Sequence, residues 1–556
     1  MIPCTVADLE AADLDLLIIG GGIVGAGVAL DAVTRGLRVG LVEADDWGGG
    51  RSGHTGTLVH GGLVDLPRIG VGAVAALRRE RDLLLDRTAP HLVRRVPMLL
   101  PFHRGLPERL AVGGGLSVYD AAAFSFRQPG VLPGHRQLTR RAVRRLAPSL
   151  AITDITGAAQ FYEGQVDDAR LTITVVRTAA SYGTLTLART TVRRLLSVAG
   201  RVVGAELTDE AGVSTTVNAR AVVLATGTEL SRLLPGAQWE PGTGSAAITG
   251  SSGEVQSAGV QPTDVQPTDV QPAADAPSTP IAETAHLVLP RGRLRSSTGL
   301  VLRSEGREEA RALYVVPWGR HWIVGSTAAW VDPDQLLAEL SRHLERPIGP
   351  ESVESAYASP APMGPDMGRA PTVHQPVPGL VLVRGSSLAG YRADAERAVD
   401  AAIRQLGGLH LPSVTRRVPL LGADGFNARW NQRHLLARQA GISVLRMEHL
   451  LQRYGTEVQV LVTAIQERPE LREPLPGAED YLVAEVWYAV AYEDATRLAD
   501  VLARRTRITR ETWDGGVKAA PAVAALMAAQ LGWDPARRAS EIEGFVERAI
   551  ADRWQP

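Results

Sequence analysis

The sequence predicts a mixed α/β chain with three parts: a glycine-rich βαβ domain, an antiparallel β-sheet domain and a C-terminal all-α domain. Three observations predict it. Residues 15–43 carry a glycine-rich βαβ signature, residues 286–327 read as short strands separated by turns, and residues from about 412 onward are helical by period. At 556 residues the chain is too long for one core, and 45% apolar with 21% charged residues is ordinary globular composition.

The first part reads DLLIIGGGIVGAGVALDAVTRGLRVGLVE from Asp15 to Glu43. Residues 16–19 suit a buried parallel strand, residues 24–35 a helix, and residues 38–42 a second strand closed by Glu43. Gly20, Gly22 and Gly25 form G-x-G-x-x-G between them. Gly20 permits the tight turn, Gly22 lets the backbone approach a pyrophosphate, and Gly25 lets helix and strand pack closely. The helix N-terminus offers free N–H groups and a positive dipole end to the phosphates. Glu43, 23 residues after Gly20, is placed to accept a hydrogen bond from a ribose hydroxyl and disfavours a 2′-phosphate.

Composition narrows the class further. A formal charge of −1 gives no global attraction to nucleic acid or anionic lipid. With Cys4 the only cysteine, no intramolecular disulfide forms, Cys/His zinc sites are excluded, and a reducing cytoplasm is expected. No stretch reaches the ~18 apolar residues of a membrane span, and the acidic start MIPCTVADLEAADLD is not a signal peptide. Peripheral membrane contact stays open. Of the 59 basic residues only Lys518 is lysine, a strong preference for arginine.

After Glu43 a glycine-rich loop leads to Leu58, Val59, His60, Gly61, Gly62, Leu63 and Leu66. This stretch resembles the FAD-dependent glycerol-3-phosphate dehydrogenases, whose first βαβ unit is followed by a serine-rich loop and Leu-Ile-His-Gly-Gly-Leu-Arg-Tyr-Leu. The resemblance continues through RERDLLLDRTAPHL, LSVYD and FYEGQVDDARL, and through the strand and turn NARAVVLATG ending at Gly227. It resumes at Tyr391 and Arg392 and in the helix carrying Ala395, Ala398 and Val399. It is strong again in the C-terminal segments HLLQRYG and YLVAEVWYAVAYEDATRLADVLARRTRI, where Glu485, Glu493, Asp500, Arg504, Arg505 and Thr506 match. These charges, like those of residues 79–92, read first as a solvated helix face or internal ion pairs.

The resemblance implies a D-amino-acid-oxidase-like FAD-binding fold. It divides the chain into FAD-binding segments at 1–111, 161–234 and 380–411, substrate-domain segments at 112–160 and 283–379, and a helical domain at 412–556. Residues 235–282, rich in Gly, Ser, Pro, Thr and Gln with a VQPTD repeat, read as a disordered insertion. The resemblance further implies FAD as cofactor, held by Gly20, Gly22, Gly25, Glu43, Ala225, Gly227 and Gly385. His60 is a candidate base near the flavin edge, with a backbone-bonded buried histidine as the plain alternative, and Arg392 is a candidate active-site cation.

Four positions depart from the family. Val64 stands where it has arginine, Asp65 where it has tyrosine, Ala361 where it has arginine, and Ser387 where it has lysine. Ala328 replaces an aspartate, and the loop 48–57 has lost most of its serines and a basic residue. A phosphate in a partly dry cleft needs fork-like arginines or a lysine. Three readings follow. The chain oxidises glycerol 3-phosphate to dihydroxyacetone phosphate and passes electrons through FAD to quinone, with a grip rebuilt from Arg51, Arg369 and Arg384. Alternatively it acts on a different, less anionic alcohol, or it is a catalytically impaired paralogue.

Overall fold

The computed structural model describes residues 4–63, 66–124, 131–227, 281–303, 312–326, 332–362, 372–385, 387–407 and 411–551. Val64, Asp65, Ala328, Arg369 and all of the predicted insertion except residues 281–282 lie outside them.

The strand Leu14–Ile19 is buried at all six positions, as a central parallel strand covered on both faces must be. It pairs in parallel with Val39–Val42 on one side and Ser214–Leu224 on the other. Leu380–Arg384 and Leu185–Leu187 extend the parallel set outward, Thr372–His374 closes one edge antiparallel, and Thr191–Val198 and Arg201–Thr208 add an antiparallel flap. The helices Ile23–Thr34, Asp168–Ser181 and Tyr391–Leu406 cover one face, joined by Ala26, Ala29, Leu171, Val175, Ala398 and Ala402 in one core. Gly27 makes the first of these contacts close, since a Cβ there would lie 2.9 Å from the Tyr391 ring.

The second sheet runs Ser355–Pro362, Ile281–Pro290, His321–Ser326, Ala312–Trp318, Gly299–Arg303, Arg94–Phe102, Gly157–Gln165 and Leu58–Val59. It is antiparallel except where Gly299–Arg303 meets Arg94–Phe102 in parallel. Its buried face packs Leu99, Leu287, Trp322 and Val324 against Leu336 and Leu340 of the helix Pro333–Arg342. Strands of this sheet begin before the predicted boundary at 112 and run past the one at 160, and Thr372–His374 joins the first sheet ahead of 380. Crossings between the sheets carry no composition change, so a linear reading does not mark them.

The C-terminal helices, from Phe426–Asn431 to Pro535–Ala551, form two further cores and enclose a small ribbon of Pro474–Leu475 with Ala478–Leu482. The solvated-face reading of their charges does not hold. Glu485, Glu493, Asp500, Arg505 and Thr506 are each 0% exposed, as is Arg81 in the first half of the chain. The charged ones form ion pairs, most of them to other segments, which a helical period alone does not reveal, and the Thr506 hydroxyl donates to the Val501 carbonyl at 2.6 Å.

Candidate cofactor and active site

In the first sheet the connections reverse direction on either side of Leu14–Ile19, and ligands of such sheets bind outside the carboxyl ends of the strands at that reversal. The reversal brings Ala225 against Gly20: the Ala225 N–H donates to the Ile19 carbonyl at 2.8 Å. Gly20 has φ +111°, and a Cβ on it would lie 2.6 Å from the Ala225 carbonyl oxygen. A Cβ on Gly25 would overlap the Gly20 carbonyl oxygen, so helix and turn touch there. Gly22, the residue preceding the helix Ile23–Thr34, faces only the Ser52 side chain, whose Oγ accepts from the Ile23 N–H at 2.9 Å. Gly385 ends Leu380–Arg384 and packs on Val24 in the first turn of the same helix. Gly227 has φ +63°, and among the described residues nothing would lie within 4 Å of a Cβ on it.

Glu43 closes the turn from the other side. Its Oε2 accepts the Gly21 N–H at 2.6 Å and its Oε1 accepts the Asp45 N–H at 3.0 Å. Burial pushes this carboxyl above its ordinary 4.5, against the two N–H groups that favour the ionised form. Thr226, between Ala225 and Gly227, has a buried Oγ1 with no hydrogen-bond partner among the described residues, and so does Thr57 just before the strand Leu58–Val59. A glycine cradle, a helix N-terminus, an acid and an unanswered hydroxyl together fit a dinucleotide.

His60 follows the strand Leu58–Val59 and is half-buried. Its neighbour is held firmly. The Gly61 N–H donates to Glu163 Oε2 at 2.9 Å, and a side chain on Gly61 would collide with the Tyr119 hydroxyl. Arg81 Nη1 donates to the same Glu163 oxygen at 2.9 Å and to the Tyr119 hydroxyl at 2.7 Å, and that hydroxyl donates to Glu163 Oε1 at 3.1 Å. All three residues are at most 2% exposed. The LSVYD and FYEGQ segments hold Tyr119 and Glu163, but nothing in their spacing links them to His60. Immediately before the strand, Thr57 takes φ +61°, a strained conformation for a β-branched residue.

Arg392 is engaged elsewhere. Its Nε and Nη2 donate to the two oxygens of Glu80 at 2.6 and 2.7 Å, and its Nη1 to Glu396 and Thr415. Four of its five N–H bonds are thus used within the FAD-side core. Ser387 offers its Oγ and its carbonyl to the Gly390 N–H, both at 3.1 Å, and so shapes the turn before Tyr391–Leu406. Arg51 lies in the same short turn as Ser52, and Arg384 precedes Gly385, so both cations stand at the N-terminal end of Ile23–Thr34. Loss of solvent, then the Arg384 charge, push the Arg51 guanidinium below its ordinary range.

The loop that carries Arg51 is gripped from the C-terminal domain. Asp46, 0% exposed, receives Arg504 and Arg505. Arg507 donates to the Gly53 carbonyl at 3.1 Å and Arg510 to the same oxygen at 2.7 Å. Arg510 also lies 3.9 Å over the Tyr357 ring, which stacks on His286 at 4.8 Å and donates from its hydroxyl to the Thr55 carbonyl at 2.8 Å.

Comparison with known proteins agrees with this architecture. Residues 15–393 match the FAD dependent oxidoreductase family, and residues 413–538 match the C-terminal domain of alpha-glycerophosphate oxidase. The chain is 34% identical, over 98% of its length and 89% of the relative's, to the glycerol-3-phosphate dehydrogenase of Mycobacterium leprae (strain TN). The crystal structure of the glycerol-3-phosphate dehydrogenase from Bacillus halodurans, complexed with FAD, superposes with a TM-score of 0.72 at 23% identity, covering 98% of this chain and 96% of that one. L-alpha-glycerophosphate oxidase from Mycoplasma pneumoniae, with FAD bound, gives a TM-score of 0.51 at 15% identity over 74% of this chain and 99% of its own. FAD is the cofactor for which the glycine cradle is built, and the chain belongs to the FAD-dependent glycerol-3-phosphate dehydrogenase family.

Proposed function

We propose that the protein oxidises the secondary alcohol of glycerol 3-phosphate to dihydroxyacetone phosphate and passes the electrons to quinone. The observation that carries this reading is the 34% identity, over 98% of the chain, to a relative named for that activity. Bound FAD supplies the two-electron oxidant. Gly20, Gly22 and Gly25 admit the pyrophosphate, Glu43 keeps lone pairs for a ribose hydroxyl, and Ala225, Gly227, Gly385 and the Thr226 hydroxyl border the cofactor. His60 takes the substrate hydroxyl proton on a ring nitrogen, and Glu163 holds the adjoining Gly61 peptide so that the ring is correctly aimed. Arg392 serves as a positioning residue through Glu80. We place the protein in the cytoplasm, in peripheral contact with the inner face of the membrane that holds the quinone. Among the described residues no helix is long and apolar enough to cross a membrane.

A second reading, a less anionic alcohol as substrate, is favoured by where the cations stand. Arg51 and Arg384 flank the helix N-terminus, where they serve the cofactor pyrophosphate, and Arg392 is committed to Glu80 and Glu396. Ser387 brings no charge. The decisive experiment adds glycerol 3-phosphate anaerobically to purified protein and follows the flavin absorbance. Bleaching at micromolar substrate supports the first reading. Bleaching by an uncharged polyol alone supports the second, and none with either supports an impaired paralogue. Restoring Arg, Tyr, Arg and Lys together at Val64, Asp65, Ala361 and Ser387 then raises glycerol 3-phosphate turnover if the rest of the cleft is intact.

A further inference from the structure

We propose that the C-terminal helical domain sets how tightly FAD is held, through a latch in which Asp494 positions the Trp47 indole beneath the Gly20–Gly25 turn. The inference rests on the cofactor assignment above and adds a part of the chain far from the glycine motif.

Trp47 is 0% exposed, and its indole N–H donates to Asp494 Oδ2 at 3.0 Å. The ring lies hard against the turn: a Cβ on Gly21 would sit 2.5 Å from Trp47 Cε3 and 2.8 Å from Glu43 Cβ. Gly21 is also held through its two backbone groups, its carbonyl by the Gly48 N–H at 3.1 Å and its N–H by Glu43 at 2.6 Å. Asp494 takes φ +57°, a left-handed conformation that aspartate tolerates better than most non-glycine residues and that the packing here holds in place. The N–H groups of Glu493 and Ala495 on either side both reach the Ala489 carbonyl, at 3.1 and 3.2 Å. Next to Trp47, Asp46 receives Arg504 and Arg505 from the helical turn that follows the Asp494 connection, so two adjacent loop residues are held by the same domain.

The physical need for such a latch follows from composition. The loop after Glu43 contains Gly48, Gly49, Gly50, Gly53 and Gly56, so left alone it samples many conformations. FAD binding would then have to order it, and that cost would appear as weaker affinity. Docking to the C-terminal domain orders the loop beforehand.

The test compares FAD dissociation constants and release rates of refilled apoprotein for wild type, Trp47→Phe, Asp494→Ala and Asp494→Asn, with a thermal melt on each. Trp47→Phe keeps a ring under Gly21 but removes the N–H. Trp47→Phe and Asp494→Ala are each expected to raise the constant about tenfold, equivalent to about 1.4 kcal/mol, and to speed release. Asp494→Asn retains an acceptor oxygen and tolerates the left-handed backbone, so it restores affinity to within about threefold. The double variant is no weaker than either single one, because both break one bond. Dissociation constants that all stay within about twofold of wild type, whatever the melting temperatures do, overturn the proposal and leave Trp47 a packing residue. If Asp494→Ala does not fold, Trp47→Phe decides alone. A wild type that binds no FAD would instead remove the cofactor assignment, which is a separate outcome.

Discussion

An alanine at position 25 would drive its Cβ into the Gly20 carbonyl oxygen, and backbone on both sides leaves no flexible group to give way. Gly25→Ala is expected to cost about 1–3 kcal/mol as overpacking and to empty the protein of FAD, read as a lower melting temperature and loss of yellow colour. Gly22→Val acts differently. Its Cβ would meet only the Ser52 hydroxyl, at 3.0 Å, so the fold survives while the pyrophosphate's approach is blocked. Arg392→Ala leaves the Glu80 carboxylate buried without its partner, a change that typically costs about 3–5 kcal/mol. Removing Glu80 as well should recover most of that loss in a double-mutant melt. Full stability in Arg392→Ala would mean that the pair is not structural and would return Arg392 to the list of substrate-binding cations.

At the level of helices and strands, the G-x-G-x-x-G unit was legible because strand, turn, helix and acid are consecutive, and each glycine answers to a contact within that unit. The strands 286–290, 299–303, 312–318 and 321–326 were legible for the same reason. The destinations of the charged residues were not, since Asp46 meets Arg505 and Trp47 meets Asp494 across most of the chain. Glu163 escaped notice because its partners come from three other segments. These junctions make stability depend on pH. Burial, then the Arg510 charge, hold His286 at about 4 and His54 likewise at about 4, below the ordinary 6.5. The folded state therefore binds fewer protons than the unfolded one, and stability present above pH 6.5 is lost as pH falls toward 4. At Asp500 burial raises the carboxyl, but Arg505, Arg504 and Arg189 outweigh it and hold it at about 2, so its contribution is lost lower, between about 3.8 and 2. Replacing His286 by Gln is expected to flatten the upper window by on the order of 3 kcal/mol, measured as melting temperature against pH. An unchanged slope there would show that His286 is protonated in the fold.

For the whole molecule, the first sheet carries the cofactor crevice, the second contributes His60 at its edge strand, and the helical domain ties both to the loop between them. Deleting residues 244–280, polar and repetitive, is expected to leave FAD content and melting temperature nearly unchanged, because surface insertions carry an entropic cost that grows slowly with length. Loss of FAD in that variant would show that the segment takes part in the fold. The clamp on the loop after Glu43 also bears on synthesis. Trp47 and Asp46 wait for partners that lie 447 and 459 residues further along. A ribosome exposes the glycine motif early but completes its support only 447 residues later, so nascent chains stalled before residue 494 are expected to release FAD readily. Chains carried well past Arg510 keep it, and the flavin is loaded only after the helical domain has emerged.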